Sequence, residues 1–387
     1  MDPKNYNYDH IWHSKHNDLN FNSLEPVIDP NARMTFLLDW ELTLKCNLDC
    51  SYCTVGLYGG HDNTTKHPNI KECLPTIDFM YKYVDLYMKN RIKGLKHVVL
   101  NVYGGESLYH KDIIPILEAA KNKYASYIDR WKLIISTTTN LTISETKLKK
   151  LIPLIDEWTC SFHTESSDKQ KERFFKNLLT LKSYNKSIKV IVLMHGSEDK
   201  FEEAKNTIQW CQDNNIKYLP RQLDQINRKN SEYGTKQILW FEKFYNRKLD
   251  VKLDNEEKIT LTNTGRSCCG GRLFCKDSNH KEKSRFTENS FKGWHCSVNH
   301  FFLNVKQVTR EVFNNKDCKT NLSNEIGSLG SLDDTKKILD NAKDFIQRKS
   351  EAFTICQKSR CFCGLCAPKS VNVNNYKEIF KKYLNEK

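Results

Sequence analysis

Three cysteines crowd into one short run, Cys46-Asn47-Leu48-Asp49-Cys50-Ser51-Tyr52-Cys53, spaced C-x3-C-x2-C with no fourth Cys or His beside them. A structural zinc site uses four protein ligands and closes its shell. A [4Fe–4S] cube normally takes four thiolates. A loop that supplies three leaves one iron open to bind a substrate or cofactor, so the run reads as catalytic. A second constellation is Tyr103-Gly104-Gly105-Glu106. Its glycines let the backbone approach a ligand closely, and its carboxylate can accept hydrogen bonds from an ammonium group. His163, Glu165 and Arg221 are candidates for contact with a substrate. A guanidinium suits a carboxylate or phosphate through bidentate pairing.

These residues fall at regular places in an alternating pattern. Strands are expected over 36–44, 97–103, 131–138, 157–163, 188–195 and 216–223, with helices over 75–90, 113–124, 144–154, 169–183 and 201–214 between them. Such alternation makes parallel strands with right-handed helical crossovers. In barrels of this kind the chemistry collects at the carboxyl ends of the strands. The cysteine run follows the first strand, Glu106 the second, Asn140 the third, and His163 and Glu165 the fourth; Arg221 lies in the sixth. Glu41 and Thr43 alternate with Trp40, Leu42 and Leu44, giving the first strand one polar face.

The cysteine spacing, the aromatic Tyr52 before the last cysteine and the Gly-Gly-Glu run about fifty residues later together resemble the radical S-adenosylmethionine (radical SAM) family. The resemblance implies an α/β fold, a partial (β/α)6 TIM-type barrel with a small Cys-rich C-terminal α+β domain. It implies a [4Fe–4S] cluster on Cys46, Cys50 and Cys53, whose open iron chelates the amino and carboxylate groups of SAM. One electron then cleaves SAM to methionine and a 5′-deoxyadenosyl radical, which abstracts hydrogen from a substrate. By the same resemblance Gly104, Gly105 and Glu106 bind the SAM amino group, Tyr52 packs beside the cluster and adenine, and Asn140 and Ser161 contact SAM. Leu141 stands where many members carry the Gly of a Thr-Asn-Gly turn. An electron donor such as a flavodoxin or ferredoxin is implied.

Nine of the fifteen cysteines lie between Cys268 and Cys366. The stretch from Trp294 through Val305 and Val312 to Cys318 reads as a β-hairpin bracketed by thiols. It is similar to the SPASM and twitch extensions of radical SAM enzymes, which hold auxiliary [4Fe–4S] clusters. Cys296, Cys318, Cys363 and Cys366 are the expected ligands of one such cluster, with zinc as the competing metal, since thiolates suit both. Cys268 and Cys269, beside two glycines, are candidate substrate-contacting thiols. The expected organisation is an N-terminal extension (1–32), the core barrel (33–225), a mostly helical or irregular bridge (226–264), the auxiliary-cluster region (265–370) and a tail (371–387). The extension is too short for a separate peptide-recognition domain. That tilts the expected substrate towards a small molecule or a directly bound protein segment, with a peptide still open.

The chain has 387 residues and a formal charge of +14, with lysines spread along its length. No dense basic arm interleaved with aromatics is present, so nucleic acid is not an expected partner. No apolar run reaches the length of a membrane span, and residues 1–6 carry no signal-peptide pattern. Clustered thiols without that pattern point to metal in a reducing, cytoplasmic setting. The rival reading, suggested by the charge and the cysteine runs, is a non-catalytic zinc- or cluster-bearing binding protein with nucleic acid as its candidate ligand.

Overall fold

Phe36, Leu38, Trp40 and Leu42 are fully buried, and Asp39 and Glu41 between them lie on the other face. This period of two makes Thr35–Thr43 a strand, β1, with an apolar side towards helices and a polar side away from them. The computed structural model describes residues 35–53, 66–89, 97–223, 233–245, 251–254, 258–261, 295–296, 298–314, 319–320, 328–348, 353–355, 369–370, 374 and 377. Cys268, Cys269, Cys275, Cys318, Cys356, Cys361, Cys363 and Cys366 lie outside the described residues, as does the 1–32 extension.

After β1 the chain runs α1 (Ile70–Lys89), β2 (His97–Gly104), α2 (Ile113–Tyr124), β3 (Lys132–Thr139), α3 (Glu145–Leu151), β4 (Glu157–Phe162), α4 (Asp168–Ser183), β5 (Ser187–Met194), α5 (Glu198–Asp213) and β6 (Lys217–Gln222). Neighbours from β1 to β6 pair in parallel and in sequence order. This is the wall of a partial barrel, with no closing pair between its two edges among the described residues. Each strand end falls within one residue of its expected position. α1 starts five residues earlier than expected. Asn69 and Glu72 cap it reciprocally, Asn69 Oδ1 accepting from Glu72 N at 3.1 Å and Glu72 Oε2 from Asn69 N at 2.6 Å. Pro75, which the sequence suggested as the opening residue, sits inside the helix.

Beyond the barrel wall come α6 (Thr235–Tyr245) and an antiparallel hairpin, β7 (Val251–Asp254) with β8 (Lys258–Leu261), in a stretch expected to be helical or irregular. β9 is His295–Cys296, and β10 (Phe302–Lys306) and β11 (Glu311–Phe313) form the expected hairpin. β10 also pairs in parallel with β1, Trp40 opposite Val305. With β11 and β13 (Ser328–Ser331) it extends the core sheet to nine strands, in the order β13-β11-β10-β1-β2-β3-β4-β5-β6. Trp40 Nε1 donates to Gln307 Oε1, and Gln307 Nε2 to the Glu72 carbonyl, tying this addition to both β1 and α1. α7 is Thr335–Gln347. The short strands β12 (Lys319–Thr320), β14 (Thr354–Ile355) and β15 (Lys369–Ser370) join β9 in a second sheet, ordered β12-β14-β9-β15. Among the described residues no helix is long and apolar enough to cross a membrane.

Candidate active site

The cysteine run is a loop at the carboxyl ends of the parallel strands, and four strand ends grip it in turn. The β2 end holds its lead-in: Gly105 N donates to Thr43 O at 2.8 Å and Glu106 N to Lys45 O at 2.7 Å. A register shift between Glu41 and Thr43 brings this backbone across. A Cβ on Gly104 would stand 2.0 Å from Thr43 O, and one on Gly105 2.3 Å from Lys45 O. Gly104 also has φ +148°. The two glycines are therefore demanded by the protein's own backbone, which passes where a side chain would be.

The β3 end holds the first cysteine. Asn140 Nδ2 donates to Asn47 Oδ1 at 2.9 Å and reaches Cys46 Sγ at 3.7 Å. Asn47 Nδ2 donates to Thr142 Oγ1 at 2.7 Å. From the first turn of α4, Gln170 caps the Ser167 backbone N–H and donates to Asn47 O at 3.4 Å. Leu141, next to Asn140, adopts φ +54° itself. It is fully buried, and Asn177 Nδ2 donates to both the Leu141 and Ile143 carbonyls at 2.9 Å.

The β4 end holds the second half of the loop. Glu165 accepts from both Ser51 N and Ser51 Oγ at 2.6 Å. His163 Nδ1 lies 3.4 Å from Cys50 Sγ and 3.1 Å from the Tyr52 hydroxyl. The Tyr52 ring is parallel to the His163 ring and meets His195 edge-on. From the β5 side, His195 Nε2 stands 3.2 Å and Lys200 Nζ 3.3 Å from Glu165 Oε1. His195 Nδ1 accepts from Ser197 N at 3.0 Å, which leaves the ring proton on Nε2, towards Glu165.

Glu106 is buried at the centre of this arrangement. Oε1 accepts from Leu108 N at 2.9 Å and Thr139 Oγ1 at 2.8 Å, and Oε2 from Asn140 N at 2.6 Å. Burial pushes its carboxyl up to about 7, against the pull of those donors. Burial also pushes the Cys46 thiol up to about 11 and Cys50 up to about 12. The His163 imidazole is pushed down to about 4 by burial. Burial acts to raise the Glu165 carboxyl as well, but its Ser51 hydrogen bonds and Lys200 outweigh that and hold it below its ordinary value.

The loop suits an iron–sulfur cluster by its chemistry. Cys46, Cys50 and Cys53 gather with Leu48, Tyr52, Leu193 and Leu223. Donors already face the sulfurs: Leu48 N and Asn140 Nδ2 at Cys46, and the Tyr52 hydroxyl at Cys50. Such donors favour thiolates, the form in which cysteine binds metal. Among the described residues no three His, Cys, Asp or Glu side chains converge as for one metal ion. A cube takes each thiolate on a separate iron and does not require that convergence.

The sequence placed His163 and Glu165 with the substrate; the structure puts both in contact with the cysteine loop. Ser161 stands on the same face of β4 as His163, half-buried. Arg221 lies opposite Leu193 on β6, close enough to Lys189 that burial and this neighbour together push the lysine down to about 8. Cys296 is buried in the second sheet, away from this site in the topology. Asn47, Ser51, Thr142, Gln170, His195 and Lys200 were not anticipated. His195 alone carried a usable signal, the carboxyl end of an expected strand.

Residues 40–220 match the model of the Radical SAM superfamily. The chain is similar in structure to Streptococcus suis SuiB bound to S-adenosylmethionine, with 13% identity and a TM-score of 0.45, over 73% of this chain and 60% of that one. It is similar to native anSMEcpe with bound AdoMet and Cp18Cys peptide, with 14% identity and a TM-score of 0.46, over 90% of this chain and 96% of that one. A weaker likeness, with 12% identity and a TM-score of 0.29, is to 5-methylcytosine deaminase from Klebsiella pneumoniae, over 45% of this chain and 43% of that one. The chain thus spans 60% of the length of SuiB. No curated protein matches it.

Proposed function

We propose, from the match of residues 40–220 to the Radical SAM superfamily model, that Cys46, Cys50 and Cys53 hold a [4Fe–4S] cluster that works with SAM on a small-molecule or peptide substrate. When bound, the reduced cluster supplies the electron that cleaves SAM to a 5′-deoxyadenosyl radical able to abstract hydrogen. The observation that carries the reading is the convergence of four strand ends, β2 to β5, on one three-thiol loop inside the matched domain.

The chain's own residues then have separable tasks. Gly104 and Gly105 let the lead-in backbone pass close by. Asn140 and Asn47 set the position of Cys46. Glu106 has three of roughly four acceptor positions filled by the protein and offers the remaining one to the SAM ammonium. Ser161 and Arg221, facing away from the helices, are on the substrate and SAM side of the sheet.

We assign a second cluster to the C-terminal region, with Cys296 and, in sequence next to β12 and β15, Cys318, Cys363 and Cys366 as ligands. Support comes from the strands beside them in sequence, which pair in one small sheet around Cys296. An external one-electron donor, such as a flavodoxin or ferredoxin, and a cytoplasmic setting complete the proposal.

Equilibrium SAM binding to the reconstituted Glu106→Ala variant tests the assignment. The expected result is at least a tenfold loss of affinity with iron retained. Affinity equal to wild type at equal iron content would discredit the ammonium role.

A further inference from the structure

The cysteine loop is held differently along its length. Cys46 and Asn47 are fixed by β3 and α4, but the segment from Cys50 to Tyr52 takes its hydrogen-bonding partners from the β4 end. Glu165 grips Ser51 at two points, each 2.6 Å, and is itself met by His195 and Lys200. That double contact fixes the residue between Cys50 and Tyr52. It leaves Cys50 Sγ 3.4 Å from His163 Nδ1, and the Tyr52 hydroxyl 3.1 Å from the same nitrogen.

We propose that His163 is a positioning residue for the cluster, donating its Nδ1–H to the Cys50 thiolate and, together with the Tyr52 hydroxyl, making the cluster easier to reduce. Glu165 keeps that sulfur within reach by holding Ser51. The inference rests on the cluster reading above.

The physical argument is one of charge. Only the tautomer with the proton on Nδ1 faces a thiolate favourably, because an unprotonated nitrogen would oppose its lone pair. Reduction adds one electron from the external donor and moves no proton, so the N–H stays on His163. The added charge spreads onto the thiolates, and a hydrogen bond to sulfur stabilises the reduced form more than the oxidised one. Hydrogen bonds to the sulfurs are one of the levers that set cluster potentials. A merely structural His163 would leave the potential alone.

The test is iron content together with an EPR-monitored redox titration of anaerobically reconstituted wild type, His163→Phe, His163→Asn and Tyr52→Phe. The His163→Phe variant keeps a flat ring and loses the donor; its midpoint is expected to fall, about 59 mV corresponding to each tenfold change for one electron. Asn presents an amide N–H near the place of Nδ1 and is expected to stay close to wild type. Tyr52→Phe keeps its ring, removes the other donor and is also expected to fall. It reads the same property if the Phe at 163 displaces the loop and iron is not taken up. A midpoint unchanged in His163→Phe or, where that variant binds no iron, in Tyr52→Phe, overturns the inference. So does a midpoint that falls as far with Asn as with Phe. A wild-type chain that binds no iron overturns the functional reading itself, and this inference with it.

Discussion

A buried carboxyl with three internal donors is an unusual way to end a strand, and Glu106 has a consequence that can be measured. Its pKa is raised to about 7 from an ordinary 4.5, so the folded chain holds the proton more tightly than the unfolded one. The stabilising contribution is therefore fully present below about pH 4.5 and is lost as pH rises through about 7. Its size is on the order of 3 kcal/mol, at 1.36 kcal/mol per unit. Urea denaturation at pH 5 and pH 7 should show about two thirds of that fall in wild type and a flatter profile in Glu106→Gln. Leu141 sets two effects against each other. Left-handed backbone costs a leucine roughly 1–2 kcal/mol, whereas removing a fully buried leucine side chain costs about 2–5 kcal/mol. Leu141→Gly should therefore lower stability despite relieving the backbone, and a denaturation midpoint at or above wild type would show the weighing to be wrong. The sequence marked Leu141 only as a departure from the family's turn. It could not show that a leucine, fully buried and clamped by Asn177, takes a left-handed conformation there.

At the scale of elements, the six parallel strands were legible because each carries a clean period of two or an apolar run bounded by turn residues. The start of α1 was missed because Pro75 looked like an opening residue, while the Asn69–Glu72 capping pair lay further upstream. The β10–β11 hairpin was legible as well, but not its partner. Periodicity announces a strand and says nothing of which strand it meets, and β10 joins β1 across more than 250 residues of sequence. β10 lies between β1 and β11 and is an inner strand of the sheet. Val305→Pro removes one ladder donor and disfavours a central strand position. Hydrogen exchange should then quicken over 302–306 and over 37–41 of β1, with β3 to β6 kept protected. Unchanged protection in β1 would mean that the extension contributes nothing to the core sheet's stability.

Across the whole molecule, the sequence expected the candidate residues at the carboxyl ends of one parallel sheet, and the structure has them there around the cysteine loop. What the sequence could not supply was the division of labour around that loop. His163 and Glu165 were legible as polar residues at a strand end, but only packing shows them turned on Ser51, Tyr52 and Cys50. Asn47 and Gln170 gave no signal because loop and capping residues look alike in sequence. The strand ends surround the three thiols, and the C-terminal strands β10, β11 and β13 are built onto the same sheet. The most direct test of the central claim is 5′-deoxyadenosine production by the anaerobically reconstituted, dithionite-reduced chain given SAM, for wild type beside Cys50→Ala. Product is expected from wild type and none from Cys50→Ala. Equal product from both would contradict the assignment of the Cys46–Cys50–Cys53 loop as the catalytic centre.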